Sequence, residues 1–252
     1  MNISKHSGRV SILALFAVLS LGISACATKS EPLPAASSVS GEEARATAEL
    51  LAPLDISQAA NIMFVDTETL AKTSDVIVVG TISEWLLGDQ VSTETGMDIG
   101  ATILAVIKVS EVSHQAEGVA VAPGDVLYAI VLAPFEGREE IIASLPTGLE
   151  TVAYLEGPLT SDDLTVADDL DVEPGDAKAD GEDRWITTPQ GFIVTAPSDS
   201  TFQIWPSLGS AQTGELREAL PGGTLDGLTE AQRRVAEANV ADLEARGVDP
   251  SN

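Results

Sequence analysis

Short apolar runs rich in β-branched residues, separated by Pro and Gly turns, constrain the fold of this chain more than any other feature. Residues 75–82 form such a run and are apolar on both faces, as a strand buried on both sides requires. The turn signal Pro123-Gly124-Asp125 leads into a second run at 126–132. No regular alternation with long helical segments occurs, which disfavours a doubly wound α/β fold. The pattern predicts a mainly β fold, namely a small antiparallel β-barrel or sandwich with short flanking helices, with an α+β fold as the alternative.

Further candidate strands fill the rest of the central region. They span residues 102–112, 151–155, 185–188, 192–195 and 202–205, with turns predicted at 146–148 and 189–191. The three tryptophans, Trp85, Trp185 and Trp205, are expected to pack in the core rather than to form a ligand cage. Trp185 and Trp205 bracket candidate strands, so the pattern also places them at a shared end of a barrel.

Helices are predicted before the first strand. Ser40 and Glu43 have the spacing of a capping box and open a helix that Pro53 ends. A second helical turn is predicted at 67–72. Both are short, so they accompany a β fold rather than replace it.

A third helix is predicted near the C-terminus. Thr229 and Gln232 again have capping-box spacing and open a helix over 229–246, with Gly247 at its end. Its thin apolar face consists of Val235, Val240 and Leu243. We expect this helix to be loosely docked or detached.

These patterns divide the chain into successive segments. They are a signal peptide at 1–25, a disordered tether at 26–41, a short helical lead-in at 42–60, a β-rich domain at 61–208 and a tail at 209–252. The tether is rich in Ser, Ala and Pro and has no hydrophobic periodicity. Within the domain, residues 161–183 contain ten acidic residues against the single Lys178, and they predict an exposed mobile loop.

The N-terminal segment has the order of an export signal. A short basic stretch, 1–9, precedes an apolar run at 10–21 that is too short to span a bilayer comfortably. The sequence Ile23-Ser24-Ala25-Cys26 follows, and it resembles the lipobox of bacterial lipoproteins. The resemblance implies cleavage between Ala25 and Cys26 and a diacylglyceryl group on the Cys26 thiol. The alternatives are an ordinary secretory signal cut near Ala25, which leaves Cys26 as a free thiol, and an uncleaved anchor.

The same resemblance implies a location at the outer face of a cell membrane, held by lipid. Cys26 is the only cysteine, so an internal disulfide is impossible and lipidation gives this thiol a use. The run at 75–82, with the strand after it, also resembles the start of small barrel domains in uncharacterised secreted lipoproteins. That second resemblance covers one strand pair and carries no functional residues.

The charge of the chain excludes two classes of partner. The formal net charge is −26, from 13 basic and 39 acidic residues. Such a balance opposes binding to nucleic acid, which needs clustered Lys and Arg, and it repels anionic lipid head groups. A basic partner or weakly held divalent cations are compatible with it.

One stretch resembles the start of a calcium loop. Asp176-x-Lys178-x-Asp180-Gly181 places acids and a glycine at suitable positions. However, Lys178 puts a cation where an oxygen ligand is needed, and Thr187 stands where a bidentate Glu should be. No specific calcium or other metal site is therefore predicted.

Catalytic patterns are weak. After cleavage one histidine, His114, is left, in a polar stretch after a predicted strand, and no Gly-x-Ser-x-Gly elbow occurs. One His and one lipidated Cys are too few for a zinc site. Paired carboxylates for glycoside hydrolysis stay open, because acidic residues are plentiful. We expect His114 to be an exposed loop residue, and the protein to be a non-enzyme without a cofactor.

The resulting hypothesis is a lipid-anchored envelope protein whose β domain serves in binding or scaffolding. Its protein partner is unspecified. The second hypothesis is a ligand-binding accessory lipoprotein of a transporter, which a concave pocket lined by Trp and Tyr would favour and a filled barrel would disfavour. An envelope hydrolase is the third.

Overall fold

The structure, a computed structural model, describes residues 40–55, 67–159, 170–179, 182–196 and 199–221. The predicted signal peptide, Cys26, most of the tether and the predicted helix at 229–246 lie outside these ranges. Within them, every helix is too short or too polar to cross a bilayer.

Eight strands and three short helices make up the described chain. The helices are α1 (Ser40–Leu51), α2 (Thr67–Thr73) and α3 (Arg138–Ser144). The strands are β1 (Val76–Thr93), β2 (Asp98–Gln115), β3 (Val126–Ala133), β4 (Glu150–Leu159), β5 (Leu170–Glu173), β6 (Arg184–Ala196), β7 (Asp199–Trp205) and β8 (Ser210–Thr213). Turns of 3-10 helix occupy Ala52–Leu54, Ala177–Ala179, Pro206–Leu208 and Leu216–Ala219. The prediction of a mainly β fold with short flanking helices is confirmed.

Five of the strands pair in a closed circuit. β1 pairs with β2 and β4, β2 with β3, and β4 with β6, all antiparallel. A short parallel pairing of β3 with β6 completes the circuit. β7 and β8 continue the sheet from β6, and β5 pairs with the far end of β1. We refer to the circuit β1-β2-β3-β6-β4 as the ring.

The interior of the ring is filled by alternate side chains from all five strands. These residues are Val76, Val78, Ile82, Ile103, Ala105, Ile107, Val109, Leu127, Ala129, Val131, Ala153, Leu155, Trp185, Phe192 and Val194. Trp85 joins them through an edge-to-face contact with Phe192, with ring centroids 6.2 Å apart, and its indole N–H donates to the carbonyl of Pro146 at 2.8 Å. The alternation of the sequence in this region is therefore the alternation between interior and exterior.

Two apolar clusters cover the outside of the ring. The first, which we call the closed face, contains Leu70, Ile77, Val152, Tyr154, Ile193, Trp205, Leu216 and Ala219. The second, which we call the strap face, contains Leu86, Leu104, Val106 and Ala179. Ala179 belongs to the strap, which we define as residues 170–179 and 182–184. All three tryptophans are buried, as predicted, but Trp185 packs inside the ring and Trp205 packs on the closed face. Trp185 and Trp205 therefore belong to different clusters.

Packing against the ring extends beyond the predicted domain limits of 61 and 208. Leu51 and Leu54 are buried within the interior cluster, so the lead-in helix α1 is part of the domain. At the other side, β8 pairs with β7, and Leu216 packs on the closed face. These segments lack long apolar runs, and a few well-placed side chains are enough to attach each of them.

Two predicted irregular segments turn out to be strand. The turn at 189–191 lies inside β6, and a register shift in the pairing of β4 with β6 accommodates Pro189. Part of the predicted acidic loop, Leu170–Glu173, is β5 and pairs with β1. Residues 160–169 and 180–181 lie outside the described ranges.

An acidic cleft between β3 and β6

A concave feature lies where β3 and β6 begin. The two strands pair over only three residues each, Tyr128 to Ile130 with Arg184 to Ile186. Ahead of these pairs, a cleft of about 350 Å³ separates the segments that lead into the strands. Its lining consists of Ala120, Val121, Asp125, Val126, Leu127, Glu182, Asp183 and Trp185. We call it the acidic cleft.

Apolar core residues lie beneath the acidic cleft. Trp185, Leu127 and Val121 are 4 %, 5 % and 8 % exposed and belong to the interior cluster of the ring. Val126, at the rim, is 48 % exposed. The surface that a ligand would meet in the cleft is therefore mostly polar, with Val126 as its exposed apolar part.

Three carboxylates line the acidic cleft. Asp125 is held by its turn, since its Oδ2 accepts the Ala122 N–H at 2.8 Å. Glu182 and Asp183 approach from the segment before β6, and all three side chains are exposed. None of the salt bridges found within the described ranges involves them. The mouth of the cleft thus carries concentrated negative charge.

The strap fixes the position of Glu182 and Asp183. Arg184, the next residue, forms a half-buried ion pair with Asp89 of β1 at 2.5 Å. Asp89 also accepts the backbone N–H of Gly175 at 3.0 Å through its other oxygen. A charge-assisted pair sheltered from water resists screening by salt better than an exposed pair does. The acids of the cleft are therefore anchored through their neighbour.

Tyr128 extends the polar rim towards the strap face. Partial burial raises the pKa of its hydroxyl, and the charges of Glu182 and Glu84 raise the pKa further. At neutral pH the hydroxyl is therefore a neutral hydrogen-bond donor, surrounded by negative charge.

The residues that the sequence placed in a calcium-like pattern have other partners in the structure. Asp176 Oδ1 accepts the backbone N–H of Lys178 at 2.9 Å, and Lys178 Nζ pairs with Glu84 at 2.5 Å. Asp180 and Gly181 lie outside the described ranges. Within the described part of the chain, no group of three or more His, Cys, Asp or Glu residues is arranged to hold a metal ion.

His114 does not line the acidic cleft. His114 lies on β2, opposite Ile77 of β1, and is exposed. It is therefore a strand residue, where the sequence predicted a loop. Ala25 and Cys26 lie outside the described residues, so the lipobox stays a prediction.

Both segments that line the acidic cleft were apparent in the sequence, but the sequence did not predict that they lie close together. The turn at Asp125 and the acidic run before Arg184 were each apparent, and nearly sixty residues separate them in the chain. Only the parallel pairing of β3 with β6 brings them together. That pairing leaves no local signal in the sequence.

Comparisons with protein-family models, with curated proteins and with solved structures find no match for this chain.

Proposed function

We propose that this protein is a lipid-anchored lipoprotein at the outer face of a cell membrane, and that its β domain is a non-enzymatic binding module. The anchoring rests on Ile23-Ser24-Ala25-Cys26 and on the use that lipidation gives to the only cysteine. A flexible tether over residues 26–39, ahead of α1, has an r.m.s. span of about 20 Å, which carries the domain clear of the head groups. The acidic surface keeps the body away from anionic lipids.

The acidic cleft supports a basic partner for this module. Three exposed carboxylates beside the exposed side chain of Val126 fit a protein segment that presents a Lys or Arg beside an apolar side chain. The carboxylates would supply orientation and a faster encounter, and the apolar side chain of the partner would contact Val126. This combination of exposed carboxylates with an apolar residue at the rim is the observation that carries the proposal.

The order of strands around the ring also bears on where a ligand binds. It supports a five-stranded Greek-key barrel of the oligonucleotide- and oligosaccharide-binding type, in which the outer face of the second and third strands holds the ligand. Here the strap covers that face, with Ala179 packed against Leu104 and Val106. A fold does not assign a function, so the site is argued from the cleft.

The anchoring is tested by Cys26→Ser in the producing cells, with Ser24→Ala as the control because it keeps a small residue in the lipobox. We expect the Ser variant to stay unprocessed and to incorporate no labelled fatty acid, whereas the control matures normally. Unaltered maturation, acylation and sedimentation of Cys26→Ser with membranes would contradict the proposal.

The cleft is tested by a triple variant, Asp125→Asn, Glu182→Gln and Asp183→Asn. The control removes three exposed charges elsewhere: Glu94→Gln, Glu139→Gln and Glu140→Gln. Each protein is immobilised, and its affinity for a library of peptides with single Lys or Arg residues is measured at low and high salt. We expect the cleft variant to lose about tenfold or more in affinity while the control changes little. Equal losses in both proteins would show that net charge alone is responsible.

The filled interior of the ring favours a protein-binding module over the transporter-accessory alternative. The cleft itself is the observation in favour of that alternative, since its volume of about 350 Å³ suits a small ligand. Equilibrium dialysis of small amines against the intact protein separates the two. Saturable binding of a small amine that the triple cleft variant abolishes would support the accessory role.

A further inference from the structure

A groove beside α1 lacks an occupant among the described residues. Its volume is about 160 Å³, and most of its lining is apolar, with small side chains and glycine prominent: Ala48, Leu51, Ala52, Ile204, Gly209 and Ala211. Leu50, the neighbour of Leu51 on α1, is 46 % exposed. We call this feature the α1 groove. Small residues on both walls allow a backbone to approach closely.

Trp205, at the edge of the α1 groove, carries an unsatisfied hydrogen-bond donor. Its side chain is 4 % exposed, and its indole N–H has no acceptor within the described part of the chain. Buried indole N–H groups usually have a partner. The surroundings of Trp205 are therefore incomplete in these ranges.

The chain leaves the described region beside the same tryptophan. Leu216 and Ala219, in the last 3-10 turn, pack in the cluster of Trp205, and the described chain stops at Pro221. The 31 residues that follow could reach any part of the domain. They include the sequence 229–246, which the capping-box pattern predicts to be a helix of about 27 Å.

We propose that the segment 229–246 docks into the α1 groove of its own chain. Its predicted apolar face carries alanines beside Val235 and Leu243, a composition that fits a groove walled by Ala48, Ala52 and Ala211. This interaction is intramolecular, and it is independent of the acidic cleft.

Docking at this place would join the two ends of the domain. α1 directly follows the tether from Cys26, so the α1 groove lies at the point where the domain meets its anchor. A docked segment would stiffen the junction. The segment then belongs to the membrane-proximal part of the domain.

The test is a cysteine-pair scan in the full chain with Cys26→Ser, which has no other thiol. Ala48→Cys is combined in turn with a cysteine on the predicted inner face of the segment, at Val235, Asn239 or Leu243. The matched control combines Ala48→Cys with a cysteine on the opposite face, at Glu237 or Ala241. Disulfide formation under mild oxidation is followed on a non-reducing gel with mass spectrometry.

We expect at least one inner-face pair to form an intrachain disulfide about tenfold faster than either control pair. Equal rates on both faces would overturn the proposal. Disulfides that form only between chains would also overturn it, because they would identify a second copy as the occupant.

A second measurement does not depend on a disulfide. Trypsin cuts after Arg233 and Arg234 at a rate that follows the undocked population when docking is fast. Ala48→Trp fills the α1 groove, and we expect it to speed this cutting about tenfold. Ala143→Trp, on the exposed side of α3, is the control. Unchanged cutting in a folded Ala48→Trp protein would contradict docking.

Discussion

The closed face and the strap face cover the same ring in different ways. On the closed face, Tyr154 and Trp205 bury large side chains among Leu, Ile and Val residues. On the strap face, the strap contributes only the small Ala179 to the apolar cluster. Most of its attachment consists of polar contacts, including Asp176 N–H to the Leu87 carbonyl at 2.8 Å and the pair of Arg184 with Asp89. Apolar burial stabilises in proportion to area, whereas an exchange of hydrogen bonds with water contributes little net stability.

The two faces should therefore differ in the free energy needed to open them. The closed face should separate only on global unfolding, because its area is large and dry. The strap should open locally at lower cost, since few of its contacts are apolar. The acids Glu182 and Asp183 at the acidic cleft would move with it.

The largest expected effect is the difference in stability loss when one side chain is truncated on the closed face and one on the strap. Trp205→Ala on the closed face should lower the free energy of unfolding by about 3–5 kcal/mol, because it removes a buried aromatic side chain and leaves a cavity. Val172→Ala on β5, which is 39 % exposed, should change it by less than about 0.5 kcal/mol. Urea denaturation followed by circular dichroism measures both. Similar losses for the two variants would show that β5 is part of the global core.

The next effect concerns the half-buried ion pair that holds the strap. Asp89→Asn removes the charge that Arg184 faces and weakens the contact with Gly175, so we expect a loss of about 1–3 kcal/mol. Hydrogen exchange should speed up at amides 170–176, while the amides of β4 and β6 near Tyr154 keep their protection. Uniform acceleration over the whole domain would contradict local opening of the strap.

The two tyrosines of the chain report on the two faces separately, because each face has one. Burial raises the pKa of Tyr154 far above its ordinary value of 10.0, and its hydroxyl donates to the Ala219 carbonyl at 2.6 Å. Tyr128 has a raised pKa as well, from partial burial and then from Glu182 and Glu84, but it is less enclosed. Tyr128 should therefore ionise first, and Tyr154 only as the domain unfolds.

The sign of the pH effect on stability follows from these shifts. A tyrosine whose pKa is raised on folding contributes stability that is fully present below its ordinary value and is lost as the pH rises through the folded-state value. Stability should thus fall above about pH 10. Absorbance at the tyrosinate band during alkaline titration should show two steps. Tyr128→Phe should remove the first step, and a single common step would contradict the difference between the faces.

The smallest effect is expected for the exposed ion pairs. Arg217 and Glu111 lie 2.6 Å apart, about as close as Arg184 and Asp89, but their side chains are 65 % and 42 % exposed. Arg217 lowers the pKa of Glu111 and Glu111 raises the pKa of Arg217, so each favours the charged form of the other. Water and salt screen such a pair, so Arg217→Met should leave the midpoint of thermal unfolding unchanged within error. A clear drop would mean that the geometry of a pair matters more here than its burial.

The sequence predicted the first half of β1 well and missed its second half. Residues 76–79 are an unbroken apolar run, and they begin the strand as expected. Beyond Ile82 the pairing with β2 shifts register three times, between Ile82 and Glu84, between Leu87 and Gln90 and between Val91 and Ser92. These shifts break the alternation of side chains, and the stretch up to Thr93 has no apolar run as long as 76–79, so it does not look like a strand. Gly88 fits there because a Cβ would lie 2.2 Å from Thr102 Oγ1 on β2.

The acidic run at 161–183 shows the opposite error. Its composition predicts a loop, since it has many charges and little apolar content. Yet Val172 and its neighbours pair with β1, and Asp176 closes a turn. Backbone hydrogen bonds to an existing strand can order such a segment without apolar burial of its own. The short helix α3 was not predicted either. None of its residues is buried, so it leaves little apolar pattern in the sequence.

By itself the sequence determined the mainly β class, the strand positions inside the ring and the acidic net charge, because hydrophobic alternation and net charge are local or additive properties. The tertiary structure decided which strands close the ring, which face the strap covers and where Asp125 meets Glu182 and Asp183. Those features depend on pairings between distant segments, and a long-range pairing is selected by the fit of the whole chain rather than by any short stretch of it.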